Sequence, residues 1–285
     1  PKGLVGSEMC IRDRYMSYFK KLRKKLKSTF FYNVIQNWLH KPLKSFSDCF
    51  GEDLFVYNYF SDLNKGFYID IGCNQPKINS LTFLLHKKGW KGMNFDISER
   101  CINLYKFFRR NDFNLNISIG SNEKKVNSYI FYENCTMNTV DEKFKKYTSK
   151  SVNKEPLIKE IQQTTLNQIL SENSIKTIHY LNIDVEGYEM NVLKGFNIRK
   201  YNPNLVSIEI HDEDCPPLKN NIYKYFIKNN YDAVISYRKN RKDEFLRKIV
   251  SKLANLILKI FTKTQFKDLG SSLKIIKKDC LTLNN

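Results

Sequence analysis

Gly66-Phe67-Tyr68-Ile69-Asp70-Ile71-Gly72 is a short apolar run that ends in a turn. Strands of a parallel sheet are covered on both faces, so they read as unbroken hydrophobic runs rather than as an alternation. Working outward from this run, a helix is expected from about Ser80 to Lys88 and a second strand at Gly92–Asp96. Arg100–Arg110 suits a helix, and Leu115–Ile119 reads as a third strand. Val126–Tyr132 alternates like an exposed strand or hairpin arm, and the polar stretch from Asp141 to Glu155 reads as a loop or mobile insertion. His179–Asp184 is the next strand, followed by a helix over Tyr188–Lys194 that Gly195 would close. Leu205–Ile210, Leu218–Asn229 and Tyr231–Tyr237 continue as strand, helix and strand. Strands alternating with helices predict an α/β fold, with a mostly parallel, doubly wound, Rossmann-like sheet. Ligands of such sheets sit beyond the carboxyl ends of the strands, where strand order reverses.

The ends of the strands therefore hold the candidate site. Asp70 and Gly72 close the first strand, where glycine permits a tight turn and an acid can accept hydrogen bonds from a cofactor. Asp96 ends the second strand, 24 residues after Gly72, where a carboxylate faces the ribose hydroxyls of a bound nucleoside. Nicotinamide cofactors and S-adenosylmethionine (SAM) both use that position, and the absent G-x-G-x-x-G pattern counts against nicotinamide. Asp96 could instead cap the next helix, with Ser98 as a rival cap. Asp184 and Glu186 follow an apolar strand, and buried carboxylates are costly unless they are used. They share a face if the extended backbone continues through Val185. Glu189 is read as complementing the dipole of the helix it begins.

Composition bounds the rest. The chain has 285 residues, 41% hydrophobic, enough for one large α/β domain with short extensions. Residues 1–15 contain Gly6-Ser7-Glu8-Met9-Cys10-Ile11-Arg12-Asp13-Arg14, which resembles translated sequencing-adapter DNA, so Met16 is the expected native start. Seven cysteines at 10, 49, 73, 101, 135, 215 and 280 include no C-x-x-C pair, which points to a reducing, cytoplasmic setting. The net charge of +19 lies in the flanks. Residues 16–47 hold eight Lys/Arg and no Asp/Glu, residues 238–285 carry +9, and residues 48–237 only +1. No nucleic-acid partner is expected of such a neutral centre. Residues 16–45 form an expected basic helical extension, with Phe19, Leu22, Leu26, Phe30, Val34 and Trp38 spaced by three and four. A basic extension over 241–285 carries an apolar stripe from Phe245 to Phe261, suited to packing on its own domain or a second subunit, or to an anionic membrane at its inner face.

Five motifs in order resemble the FkbM family of methyltransferases, over roughly residues 46–237. They are Phe46-Ser47 leading into Gly51-Glu52-Asp53; Gly66–Gly72 followed by Pro76; Gly89–Asp96; Ile183–Glu189 with Val192–Gly195; and Ser207-Ile208-Glu209-Ile210-His211. The resemblance implies a class I methyltransferase domain over about 46–240 with SAM as donor. It also implies a hydroxyl acceptor on a sugar of a glycan, glycolipid or secondary metabolite. Asp70, Gly72, Asn74, Asp96 and Ile97 are the expected cofactor residues, and Glu186 and Glu209 the expected acceptor contacts. Asp184 is the expected base or acceptor-orienting residue, with His211 as its rival. A divalent metal on Asp184 with Glu209 or Asp212 stays open, since these residues make no ligand-spacing signature. Two other classes stand as alternatives, a nucleic-acid methyltransferase and a non-catalytic SAM-fold module at a membrane. The loop after Asp70 departs from the glycine-rich pattern, with Cys73, Asn74 and Pro76 where glycines often stand.

Overall fold

A computed structural model of the chain describes residues 29–42, 45–47, 51–210, 220–235 and 273–277. Two compact units divide it, residues 1–41 and 42–285. The first contains helix α1 (Phe30–Leu39), capped by the Thr29 hydroxyl, which accepts from the Tyr32 N–H at 3.2 Å. The expected stripe does not form its buried face. Asn33 and Asn37 are buried there, whereas Trp38 is 71% exposed. Residues 16–28 and 43–44 of the 16–45 extension, and the Phe245–Phe261 stripe, lie outside the described residues.

In the second unit, α2 (Glu52–Tyr59) is anchored by Asp53, whose carboxylate accepts from the Phe46 N–H at 2.7 Å and the Ser47 hydroxyl at 2.9 Å. The motif Phe46-Ser47…Asp53 is thus a local bracket. The sheet then begins with β1 (Phe67–Ile71), followed by α3 (Phe83–Lys87), β2 (Lys91–Asp96), α4 (Glu99–Phe108) and β3 (Phe113–Asn116). Beyond an insertion come α6 (Leu166–Glu172), β7 (Tyr180–Ile183), α7 (Glu189–Lys194), α8 (Ile198–Tyr201), β8 (Leu205–Ile208), α9 (Asn221–Lys228), β9 (Tyr231–Ile235) and β10 (Leu273–Lys277). Strand order is β3-β2-β1-β7-β8-β10-β9. Neighbours from β3 to β8 are parallel, and β10 runs antiparallel to both β8 and β9.

Period-two alternation sends Ile69 and Ile71 into the larger core with Leu181, Ile183 and Val206, while Tyr68 packs on the opposite face with Tyr180 and Leu205. Both faces are covered, which is why these strands read as apolar runs. Order reverses between β1 and β7, so the chain leaves β1 toward one half of the sheet and returns by β7 in the other. A crevice opens at that point.

Several elements differ from expectation. Leu115–Ile119 is not one strand: β3 stays in the main sheet, while β4 (Ser118–Ile119) joins a second, three-stranded sheet of order β4-β6-β5. Leu115–Ile119 alternates apolar and polar residues without a break, so the local sequence does not mark this change. The second sheet pairs β5 (Lys124–Ile130) antiparallel with β6 (Leu157–Thr164), a strand whose polar composition conceals it. The stretch read as a loop, Asp141–Glu155, holds helix α5 (Glu142–Val152). Asp141 caps it by accepting from the Phe144 N–H at 2.8 Å, and Asn153 ends it in the left-handed region. Gly195 ends α7 at φ −89°, not in a left-handed cap. Its lack of a side chain matters for another reason: a Cβ there would lie 2.0 Å from the Gly120 carbonyl oxygen. Finally, the stretch read as a C-terminal extension supplies β10 to the sheet, between β8 and the edge strand β9.

Candidate functional site

The crevice beyond β1, β2 and β7 encloses about 490 Å³ including its open mouth. Gly72, Asn74, Asp96, Ile97 and Asp184 all line it. Gly72 makes the arrangement sterically feasible. Its φ is +81°, and a Cβ would lie 1.7 Å from the Asp184 carbonyl oxygen, so only glycine lets the exits of β1 and β7 pass so closely. Backbone bonds from Gly72 N to Phe95 O (2.8 Å) and from Asp184 N to Ile71 O (2.9 Å) tie the three strand ends together.

Asn74 follows in the left-handed region at φ +50°, and its N–H donates to Asp96 Oδ2 at 2.8 Å. The other Asp96 oxygen accepts from the Ser98 N–H at 2.7 Å, while the Ser98 hydroxyl caps α4. Burial pushes Asp96 up to about 6, against the pull of those two N–H bonds. Asp96 thus braces the loop with one oxygen and the start of α4 with the other, and Ser98 rather than Asp96 caps the helix.

Asp70 does not line the crevice, contrary to expectation. It is buried, with its oxygens accepting from Thr82 Oγ1 (2.7 Å) and Asn182 Nδ2 (2.9 Å). Period two explains the placement: Ile71 and Gly72 reach the crevice, while the Asp70 side chain turns into the α3–α4 layer. Burial raises its pKa, and the two hydrogen bonds and the charge of Arg109 oppose the rise.

The loop without a glycine-rich turn is held from α4 instead, a feature the sequence did not disclose. The Tyr105 hydroxyl donates to the Cys73 carbonyl (2.9 Å) and lies 3.2 Å from that of Gln75. Arg109, 1% exposed, donates twice to the Pro76 carbonyl, and to Ser80 (2.8 Å), Thr82 (2.8 Å) and the Tyr68 hydroxyl (3.0 Å). All five guanidinium donors are used. Side chains from one helix do here what backbone flexibility does in a glycine-rich loop.

At the β7 end, one oxygen from each of Asp184, Glu186 and Glu209 lies within 4.8 Å of the others. The expected geometry was an extended strand with alternating side chains. β7 instead stops at Ile183, and Glu186 sits in the left-handed region at φ +55°, so a turn gathers the carboxylates. Burial, with Glu209 and Glu186 beside it, holds Asp184 well above the usual carboxylate range. Such a cluster can share a proton or hold a hard divalent cation with its oxygens. Glu189 accepts from the Gly187 N–H at 3.0 Å at the start of α7, a local role. His211 and Asp212 lie outside the described residues.

The insertion between β5 and α5 roofs the crevice, with Cys135, Thr136, Asn138 and Val140 in its wall. It is fastened at both ends. Ser98 and Cys101 donate to the Glu133 carbonyl, and Thr139 Oγ1 donates to the Glu186 carbonyl at 2.8 Å. No local sequence pattern marks this segment as part of the site.

A profile of the Methyltransferase FkbM domain matches residues 70–235, from the end of β1 to the end of β9. The chain belongs to the FkbM methyltransferase family. Searches of curated proteins and of solved structures find no match. The α/β sheet with strand order reversing at β1 is accordingly the class I methyltransferase fold. The family match begins after α2, so the bracket around Asp53 and helix α1 fall outside it.

Proposed function

We propose that this FkbM methyltransferase moves the methyl group of SAM onto a hydroxyl of a glycan, glycolipid or other sugar-bearing small molecule. One observation carries the reading: Asp184, the member of the carboxylate cluster that lines the crevice, shares its wall with Asn74 and Asp96, at the end of the strand beside β1.

The residues fit SAM. Each Asp96 oxygen accepts one backbone bond, and a carboxylate has about four lone-pair sites, so capacity remains for two ribose hydroxyls. Ile97 and Ile117 offer apolar walls beside it. SAM would supply a methyl group on a cationic sulfur, a good leaving group once aligned. The chain's own work is then alignment, exclusion of water and proton removal. The roof from Cys135 to Val140 excludes water. A sugar hydroxyl is a weak nucleophile, and a carboxylate with a raised affinity for protons is a stronger base. Burial, then Glu209 and Glu186, raise Asp184 in that sense, so Asp184 accepts the hydroxyl proton while Glu186 and Glu209 orient the acceptor.

Two measurements test this. Asp96→Ala is expected to weaken SAM binding by about 1–3 kcal/mol by calorimetry, the cost of losing hydrogen bonds to a charged acceptor. Because Asp96 titrates at about 6, wild-type affinity should be about tenfold weaker at pH 5 than at pH 7, and the variant should lose that slope. Equal affinity in both proteins would remove Asp96 from the cofactor site. For the acceptor, methyl-labelled SAM is incubated with a panel of glycosides and the product treated with alkali. A hydroxyl acceptor leaves an ether that survives; label released as methanol marks a carboxyl ester and overturns the hydroxyl assignment.

A further inference from the structure

Helix α1 turns the usual amphipathic arrangement inside out. Its buried side chains are Asn33 and Asn37, while Phe31 is 72%, Trp38 71% and Leu39 63% exposed, with Ile35 at 36%. Positions 31, 35, 38 and 39 follow the i, i+4, i+7, i+8 rule and make one stripe, with the two asparagines on the opposite side. Isolated exposed apolar residues are ordinary, but a contiguous aromatic stripe marks an interaction surface. Ten residues span roughly 15 Å, half the apolar thickness of a bilayer. Among the described residues no helix is long and apolar enough to cross a membrane.

Charge selects the partner. Lys20, Lys21, Arg23, Lys24, Lys25 and Lys27 precede the helix and Lys41 and Lys44 follow it, with no acidic residue anywhere in 16–47. A second copy of this face would bring like charges together, whereas an anionic surface is complementary. Tryptophan and phenylalanine are suited to the boundary between headgroups and acyl chains, with basic residues at the phosphate level.

We propose that α1 lies in the plane of an anionic bilayer, with Phe31, Ile35, Trp38 and Leu39 at the acyl boundary. This inference is independent of the methyl donor and acceptor. The protein carries its own reporter: of two tryptophans, Trp90 is 2% exposed and donates to the Leu63 carbonyl at 3.2 Å, so a lipid-dependent change in fluorescence reports Trp38. The full chain would be mixed with vesicles of phosphatidylcholine alone or with phosphatidylglycerol, each with and without brominated acyl chains. Expected are a blue shift and bromine quenching with the anionic vesicles, fading as salt is added. Phe31→Ser with Trp38→Ser should lower co-sedimentation with anionic vesicles by about tenfold or more. Both positions are exposed, so the melting temperature should hold. A wild-type response equal on neutral lipid, or no response on anionic lipid, overturns the proposal. So does a blue shift that depends on protein concentration without lipid, which would give the face to a second copy.

Discussion

Asp184→Asn should lower methyl transfer by about 100-fold or more, the usual loss when a general base is removed. The same variant should melt at or above the wild-type temperature. Three carboxylate oxygens within 4.8 Å repel one another, and asparagine removes one charge at constant shape. Activity falling while stability holds or rises is the signature of a functional carboxylate. Loss of both would mean that Asp184 braces the turn between β7 and α7. The wild-type rate should also climb as pH rises through the raised Asp184 pKa, because only the ionised form accepts a proton. The measurement is release of S-adenosylhomocysteine with a turning-over acceptor. Normal turnover by the variant would pass the base role to another residue, with His211 as the next to substitute.

Arg109→Met should cost about 3–5 kcal/mol of folding stability, the range for removing one partner of a buried charged network. Methionine fills much of the volume but leaves the Pro76 carbonyl, Ser80 and Thr82 without their donor. It also leaves Asp70 and Asp112 without the nearby positive charge. The sign of the pH dependence follows. In the variant, burial raises Asp70 further above its unfolded value, so its contribution is retained at low pH and lost as pH rises. The stability gap between wild type and variant should therefore widen as pH rises above about 4, the unfolded value. Arg109→Lys restores charge but only three donors, so it should recover only part of the stability. Urea denaturation and calorimetry on the three proteins check this. Wild-type stability in Arg109→Met would mean that α4 does not hold the loop.

How much of this was legible depends on the range of the interaction. The order β1, α3, β2, α4 could be read along the chain because each element announces itself within ten residues. The run Tyr68–Ile71 is apolar, Gly92–Asp96 ends in a polar residue, and Arg100–Arg110 has helical spacing. Asp96 was legible for the same reason, since strand ends are where a doubly wound sheet exposes side chains. Asp70 was not. Its sequence neighbourhood is equally suggestive, but whether its carboxylate meets the crevice or the interior depends on the pleat and on Thr82, Asn182 and Arg109, which come from three other elements. The C-terminal residues Leu273–Lys277 were equally silent, because a strand inserted between β8 and β9 is specified by pairing with segments some 40 to 70 residues away.

The sequence alone determined the α/β alternation, the neutral core with basic flanks, the FkbM motifs and the strand ends worth inspecting. These depend on local periodicity, composition and order. Tertiary structure decided what the motif residues do. It made Gly72 the crossing point under the Asp184 carbonyl, turned Asp70 inward, and gathered Asp184, Glu186 and Glu209 through a left-handed turn. It also brought Tyr105 and Arg109 beneath a loop about 30 residues earlier, and set the 131–140 segment over the crevice. Each of these depends on where a buried polar group finds its partner. Local sequence reports whether a group is polar, but folding selects the partner, because a buried donor or acceptor must be satisfied by whatever the packed chain brings within reach.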